Sequence, residues 1–136
     1  MGTSTSSEKG AGSLEKLILD WGARIGVSAL NENVKSSQLE NLIVSLENFK
    51  EREALLAAAA FAQRQAQRLG VGRATARLIS QALLDLYEKG AGKEEARKML
   101  GFAKWIFEAR ILPPRGVRPE QLTLESLLKQ PAGGGR

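Results

Sequence analysis

Residues 54–84 read ALLAAAAFAQRQAQRLGVGRATARLISQALL. Apolar and small residues recur at helical spacing on both sides of Gly70 and Gly72, so the stretch reads as two helices meeting at a glycine hinge. These 31 positions contain no Asp or Glu, although charged side chains make up 26% of the chain. Arg64 and Arg68 are spaced i,i+4 and share one helix face, and Arg73 and Arg77 repeat that spacing beyond the hinge. An acid-free cluster of four arginines at a helix junction predicts an anion site, and the extended anion that suits it best is a nucleic acid.

The sequence around this stretch is helical as well. Leu14, Leu17, Ile18, Trp21 and Ile25 follow i, i+3, i+4, i+7, i+11, one face of a short helix expected to end around Gly22–Gly26, with Trp21 in the core. Ser37-Gln38-Leu39-Glu40 fits a capping box, Ser37 taking free N–H groups and Glu40 reaching back, for a helix whose apolar face is Leu39, Leu42, Ile43 and Leu46. The helix over 51–69 has acids in its first turn and arginines in its last, as the helix dipole favours. Its alanine-rich centre admits a close neighbour. A fourth helix is predicted over 74–89 with Leu78, Ile79, Ala82, Leu83 and Leu86 inward. A fifth is predicted over 93–111, stopped by Pro113 and Pro114. No stretch alternates as a strand would. The expected fold is all-α, a compact bundle of about five helices over residues 14–112. A flexible Gly/Ser/Thr-rich tail is expected over 1–13, and a Pro/Gly-rich extension over 113–136 with a short helix at 124–128 and a disordered end.

Composition narrows the function. The 136 residues suffice for one domain with a modest core. The net charge of +5 favours a polyanionic partner, and the excess lies in the second half, at 54–84 and 85–136. Without Cys there is no disulfide or thiolate chemistry; without His the usual general base and the commonest zinc ligand are gone. No apolar run is long enough to span a bilayer and no secretory signal is apparent, so a cytoplasmic protein is expected. Gly70-Val71-Gly72 lacks both the third glycine of a dinucleotide fingerprint and the lysine of a P-loop. Glu94 and Glu95, like Glu51 and Glu53, complement helix dipoles. The chain is therefore expected not to be an enzyme and to need no cofactor or metal.

The arginines suit phosphate because a guanidinium grips two oxygens at once. Backbone N–H groups at the start of the fourth helix, near Arg73, are expected to add to the same site. Lys104 and Arg110 extend the basic surface. A second pattern overlaps the first. Ala66, Leu69, Gly70, Val71 and Ile79 fall where a helix-turn-helix places its alanine, pre-turn leucine, turn glycine and buried aliphatics, which would put Arg73, Thr75, Ala76 and Arg77 on a recognition helix. A third reading is a protein–protein interaction module working through its apolar helix faces.

Three segments carry a family resemblance. VKSSQLENL at 34–42 resembles the Lys-Thr-Thr/Ser-Gln-Leu/Ile-Arg-like segment of the small, all-helical subunits of type III CRISPR effector complexes, with Glu40 where an arginine is common. Residues 55–68, with Phe61-Ala62-Gln63-Arg64-Gln65 and Arg68, are similar to that family's alanine- and arginine-containing segment. LGFAKWIFEA at 100–109 is similar to the closing helix of archaeal versions. The resemblance covers residues 14–112. It implies a non-catalytic, RNA-binding subunit of an antiviral ribonucleoprotein. Such a subunit would have guide or target RNA, or a displaced single strand, and the other complex subunits as partners, and would self-associate along a filament.

Overall fold

The computed structural model describes residues 2–70 and 72–129, with side chains from residue 14 onward. Its helices are α1 (Gly2–Asn31), α2 (Ser36–Ser45), α3 (Glu51–Leu69), α4 (Arg73–Glu88), α5 (Lys93–Ala109) and α6 (Leu124–Lys129). Short 3-10 turns lie at Leu46–Asn48 and Pro119–Gln121, and there is no strand among the described residues. The fold is all-α.

Side-chain bonds fix how the helices run. Gln63 donates to Ser80 Oγ at 2.8 Å, and Arg52 bonds the Tyr87 carbonyl while stacking on the Tyr87 ring, so α3 and α4 form an antiparallel hairpin. Trp21 Nε1 donates to Asp85 and Ser28 pairs with Thr75, which sets α1 antiparallel to α4. Arg97 meets Glu47 and Lys104 meets Glu40, which sets α2 antiparallel to α5. Gly22 lies against Met99 and Phe102, and Gly26 against Ala103 and Ile106, so α1 and α5 run parallel. Neighbours close a ring in the order α1, α5, α2, α3, α4 and back to α1.

Inside the ring, Ile25, Leu39, Leu46, Leu55, Ile79, Leu83, Leu86, Met99 and Leu100 are fully buried. Small side chains let the helices approach: Ala54, Ala58, Ala62 and Ala66 form the inner face of α3, opposite Ala76 and Ala82 of α4. Gly70 takes the left-handed conformation (φ 72°) that ends α3, as its sequence position predicts.

The helix expected to stop at Gly22–Gly26 continues to Asn31, and it takes in positions 2–13, where composition suggests a tail. Gly22 and Gly26 are contact points, not stops: a Cβ at Gly26 would lie 2.6 Å from the Ala103 carbonyl oxygen and 2.7 Å from Ile106 Cβ. The cap of α2 is also displaced. Its N-cap is Lys35, whose N–H donates to Gln38 Oε1 at 2.8 Å, because Val34 is already pinned to the Ala29 carbonyl and buried. Ser37 therefore sits inside the helix and Glu40 is free to reach α5. Helix α5 stops at Ala109, with Arg110 left-handed (φ 57°), before the prolines act.

The stretch expected as an extension folds back onto α1 and α5. Leu122 and Leu127 are fully buried against Ala23, Val27 and Ile106. Arg24 Nε donates to the Leu122 carbonyl at 2.7 Å, and the Leu124 N–H donates to Asp20 Oδ1 at 2.8 Å. The expected disordered end at 131–136 lies outside the described residues. Leu127→Ala should lower unfolding stability by about 2–4 kcal/mol, the ordinary range for a buried leucine. An unchanged urea midpoint would show that this segment contributes nothing to the fold.

Candidate nucleic-acid interface

The directions of the helices bring the C-ends of α1, α3 and α5 and the N-ends of α2 and α4 to one end of the bundle. All six predicted site residues, Arg64, Arg68, Arg73, Arg77, Lys104 and Arg110, lie toward it, and so does Lys35. On α3, Ala62 and Ala66 turn inward and Arg64 and Arg68 turn out. On α4, Thr75, Ala76 and Ile79 turn inward and Arg73 and Arg77 turn out. The four arginines thus form two exposed pairs on the adjoining outer faces of one hairpin. They make an exposed basic surface, at one edge of which Arg77 also lines a cleft.

None of the four makes an ion pair or a side-chain hydrogen bond among the described residues. Cations elsewhere behave differently. Lys16, Lys89, Lys93, Arg97, Arg118 and Lys129 are in ion pairs, while Arg24 and Arg52 lie over the Trp21 and Tyr87 rings at 4.8 and 4.2 Å. Lys50, Lys98 and Arg115 have no ion-pair partner among the described residues either. Beside Arg77 a cleft of about 250 Å³ is walled by Asn31, Glu32, Gln81 and Glu120, so the field there is mixed. Arg64, Arg68 and Arg73 present the least opposed charge.

Lys104 does not extend the basic surface as the sequence suggests. Its ammonium is bonded by Glu40 of α2 and lies 3.4 Å from Glu108, one turn on. The bond from Glu40, together with Glu108 and against some desolvation, holds its pKa above the ordinary value. Its charge is met within the molecule. The acid standing where the family resemblance expects an arginine is the one that does this. Arg110 is exposed at the end of α5, with no ion-pair partner among the described residues.

The N-terminus of α4 is not open to an anion either. Glu32, just past the end of α1, accepts the Ala74 N–H at 3.1 Å, the Thr75 N–H at 2.7 Å and the Thr75 hydroxyl at 2.6 Å. The protein's own carboxylate occupies the place where free N–H groups were expected to hold phosphate. Glu32→Ala should cost about 1–2 kcal/mol, the range for losing a good cap, read as a drop in urea midpoint.

The helix-turn-helix pattern is not reproduced in space. Thr75 and Ala76, which the pattern puts on the recognition helix, are only 2% and 4% exposed, whereas the pre-turn Leu69 is 54% exposed. Helices α3 and α4 lie side by side from Gln63–Ser80 to Arg52–Tyr87, where the motif needs them to cross steeply. Val71 lies outside the described residues. Compared with protein-family models, with curated proteins and with solved structures, the chain matches none.

Proposed function

We propose that this chain is a non-catalytic nucleic-acid-binding module that holds the phosphate backbone of single-stranded RNA on the outer face of the α3–α4 hairpin. The observation that carries this reading is the set of four outward arginines, none of them in an ion pair among the described residues, in a molecule that pairs or stacks many of its other cations. An exposed arginine surface spread over two adjoining helices suits an extended polyanion, whose phosphates are spread likewise. Phosphate contacts set affinity and register but not sequence, so such a module needs its specificity from elsewhere, as a guide strand would supply. That division of labour is the one implied by the resemblance to type III CRISPR small subunits, and it makes the chain one component of a larger ribonucleoprotein.

A duplex-reading regulator is the weaker reading, since α3 and α4 lie side by side and only Arg73 and Arg77 of its four recognition-helix residues face outward, Thr75 and Ala76 being buried. The test is binding of labelled single-stranded RNA against random duplex DNA at two salt concentrations. Salt-sensitive RNA binding that Arg64→Ala with Arg68→Ala weakens supports the proposal. Sequence-selective duplex binding, or no binding, rejects it.

A further inference from the structure

The cleft of about 250 Å³ that Arg77 borders lies between α4 and the segment that folds back onto α1. Its α4 wall runs from Ala74 to Gln81, about 10 Å of helix. Pro119 and Glu120 form the opposite wall, on a 3-10 turn that packs on α1. The end of α1, with Asn31, lies between the walls, since Ser28 and Glu32 bond Thr75 of α4. The cleft falls below the roughly 300–1,000 Å³ of a drug-sized pocket, and one base is a ligand of its scale.

Most of its polar groups are unengaged. Arg77 has no ion-pair partner, and the side-chain amides of Asn31 and Gln81 make no hydrogen bond among the described residues. Glu120 meets Arg118 at 3.6 Å, and neither of its oxygens accepts a hydrogen bond among the described residues. Glu32 differs, because the cap of α4 takes up its carboxylate. Arg77 and Glu120 thus border one cleft from opposite walls without pairing. A ligand that fits must offer an anion to the first and N–H donors to the second.

A nucleotide of the bound strand offers both. Its phosphate suits Arg77, its base edge suits Glu120, and Ala74, Leu78 and Pro119 give apolar surface for the faces of the base. Guanine is the base that presents two adjacent N–H donors on one edge, N1–H and the N2 amino group, and a free carboxylate accepts both. Adenine and cytosine set a single amino group beside a ring acceptor, and uracil sets its N–H between two carbonyl oxygens. A carboxylate repels each of those acceptors.

We propose that this cleft takes one unstacked guanine of the single strand, with Glu120 accepting from its Watson–Crick edge and Arg77 holding the phosphate of the same nucleotide. The inference rests on the RNA reading of the arginine surface and adds a preference at one position. A single such position sets the register of the strand without reading a sequence.

The test compares labelled oligouridine with the same strand carrying one central guanosine, and with inosine in its place, which lacks only the N2 amino group. The guanosine strand should bind about tenfold tighter than oligouridine, within the range of a bidentate base contact. Inosine should lose most of that gain. Glu120→Gln should abolish it while binding oligouridine no more weakly than the parent does. Guanosine monophosphate alone should bind far more weakly than the strand, since it meets one arginine of the four. Salt-sensitive oligouridine binding with no guanosine preference, or a preference that survives Glu120→Gln, overturns the proposal and leaves the arginine reading standing. Absence of any RNA binding overturns both. Guanosine monophosphate binding as tightly as the strand would make the cleft a site for free nucleotide, which also overturns the proposal.

Discussion

Gly26→Ala should destabilise the fold by about 2 kcal/mol, although alanine is the better helix former by about 1 kcal/mol. The added Cβ would lie 2.6 Å from the Ala103 carbonyl oxygen, 2.7 Å from Ile106 Cβ and 2.8 Å from Ile106 Cγ2. Two of those atoms are backbone or attached directly to it, so no rotamer change relieves the contact and α1 and α5 must move apart. Overpacking of this kind costs about 1–3 kcal/mol and more where the backbone itself must shift. The larger Gly26→Leu should leave little folded protein.

Two other glycines calibrate the effect. At Gly22 the nearest atom is Phe102 Cδ2 at 2.8 Å, the far end of a side chain that can turn, with the Met99 carbonyl oxygen at 3.2 Å. Gly22→Ala should therefore cost less. At Gly101, in the middle of α5, nothing lies within 4 Å, and Gly101→Ala should gain about 1 kcal/mol. Urea midpoints should then rank Gly26→Ala below Gly22→Ala, both below the parent, and Gly101→Ala above it. A Gly26→Ala midpoint at or above the parent's would show that these helices are not packed at backbone contact.

The second large effect is on binding. Each phosphate neutralised by a cation on a single strand contributes about −0.7 to the slope of log K against log salt. Four arginine contacts predict a slope of roughly −3, and Arg64→Ala with Arg68→Ala should bring it to about −1.4. Replacing Arg73 and Arg77 as well should flatten the line. Lys104→Ala is the informative control. Its ammonium is shared between Glu40 and Glu108, so its loss should leave the slope unchanged. A slope near zero for the parent would reject the interface. A slope that Lys104→Ala lowers as much as an arginine does would show that the internal pairs open on binding.

Which parts of this were legible in the sequence follows from the range of the forces involved. Helices rest on bonds four residues apart and on a 3.6-residue apolar period, both visible locally. Hence α3 occupies the predicted 51–69, Gly70 caps it, and Leu78, Ile79, Ala82, Leu83 and Leu86 are inward as read. The outward placement of the four arginines was also legible, because inward-turning alanines at fixed spacing leave them only one side to face. Glycine was not, since a helix stop and a helix contact look the same along the chain. Only the arrival of α5 makes Gly22 and Gly26 the latter.

The sequence by itself determined the all-helical class, the bounds of α3 and the outward side of its arginines. The tertiary structure decided which charges are left to act. Glu32 caps a helix that starts 41 residues later, and Glu40 neutralises a lysine on another helix. Leu122 and Leu127 complete a core layer begun by Ala23 and Val27. Each of these pairings joins groups that are close only after the ring of helices has closed. A carboxylate or a leucine carries no local mark of the partner it will meet, because charge pairing and apolar contact depend on distance in space and not on separation along the chain.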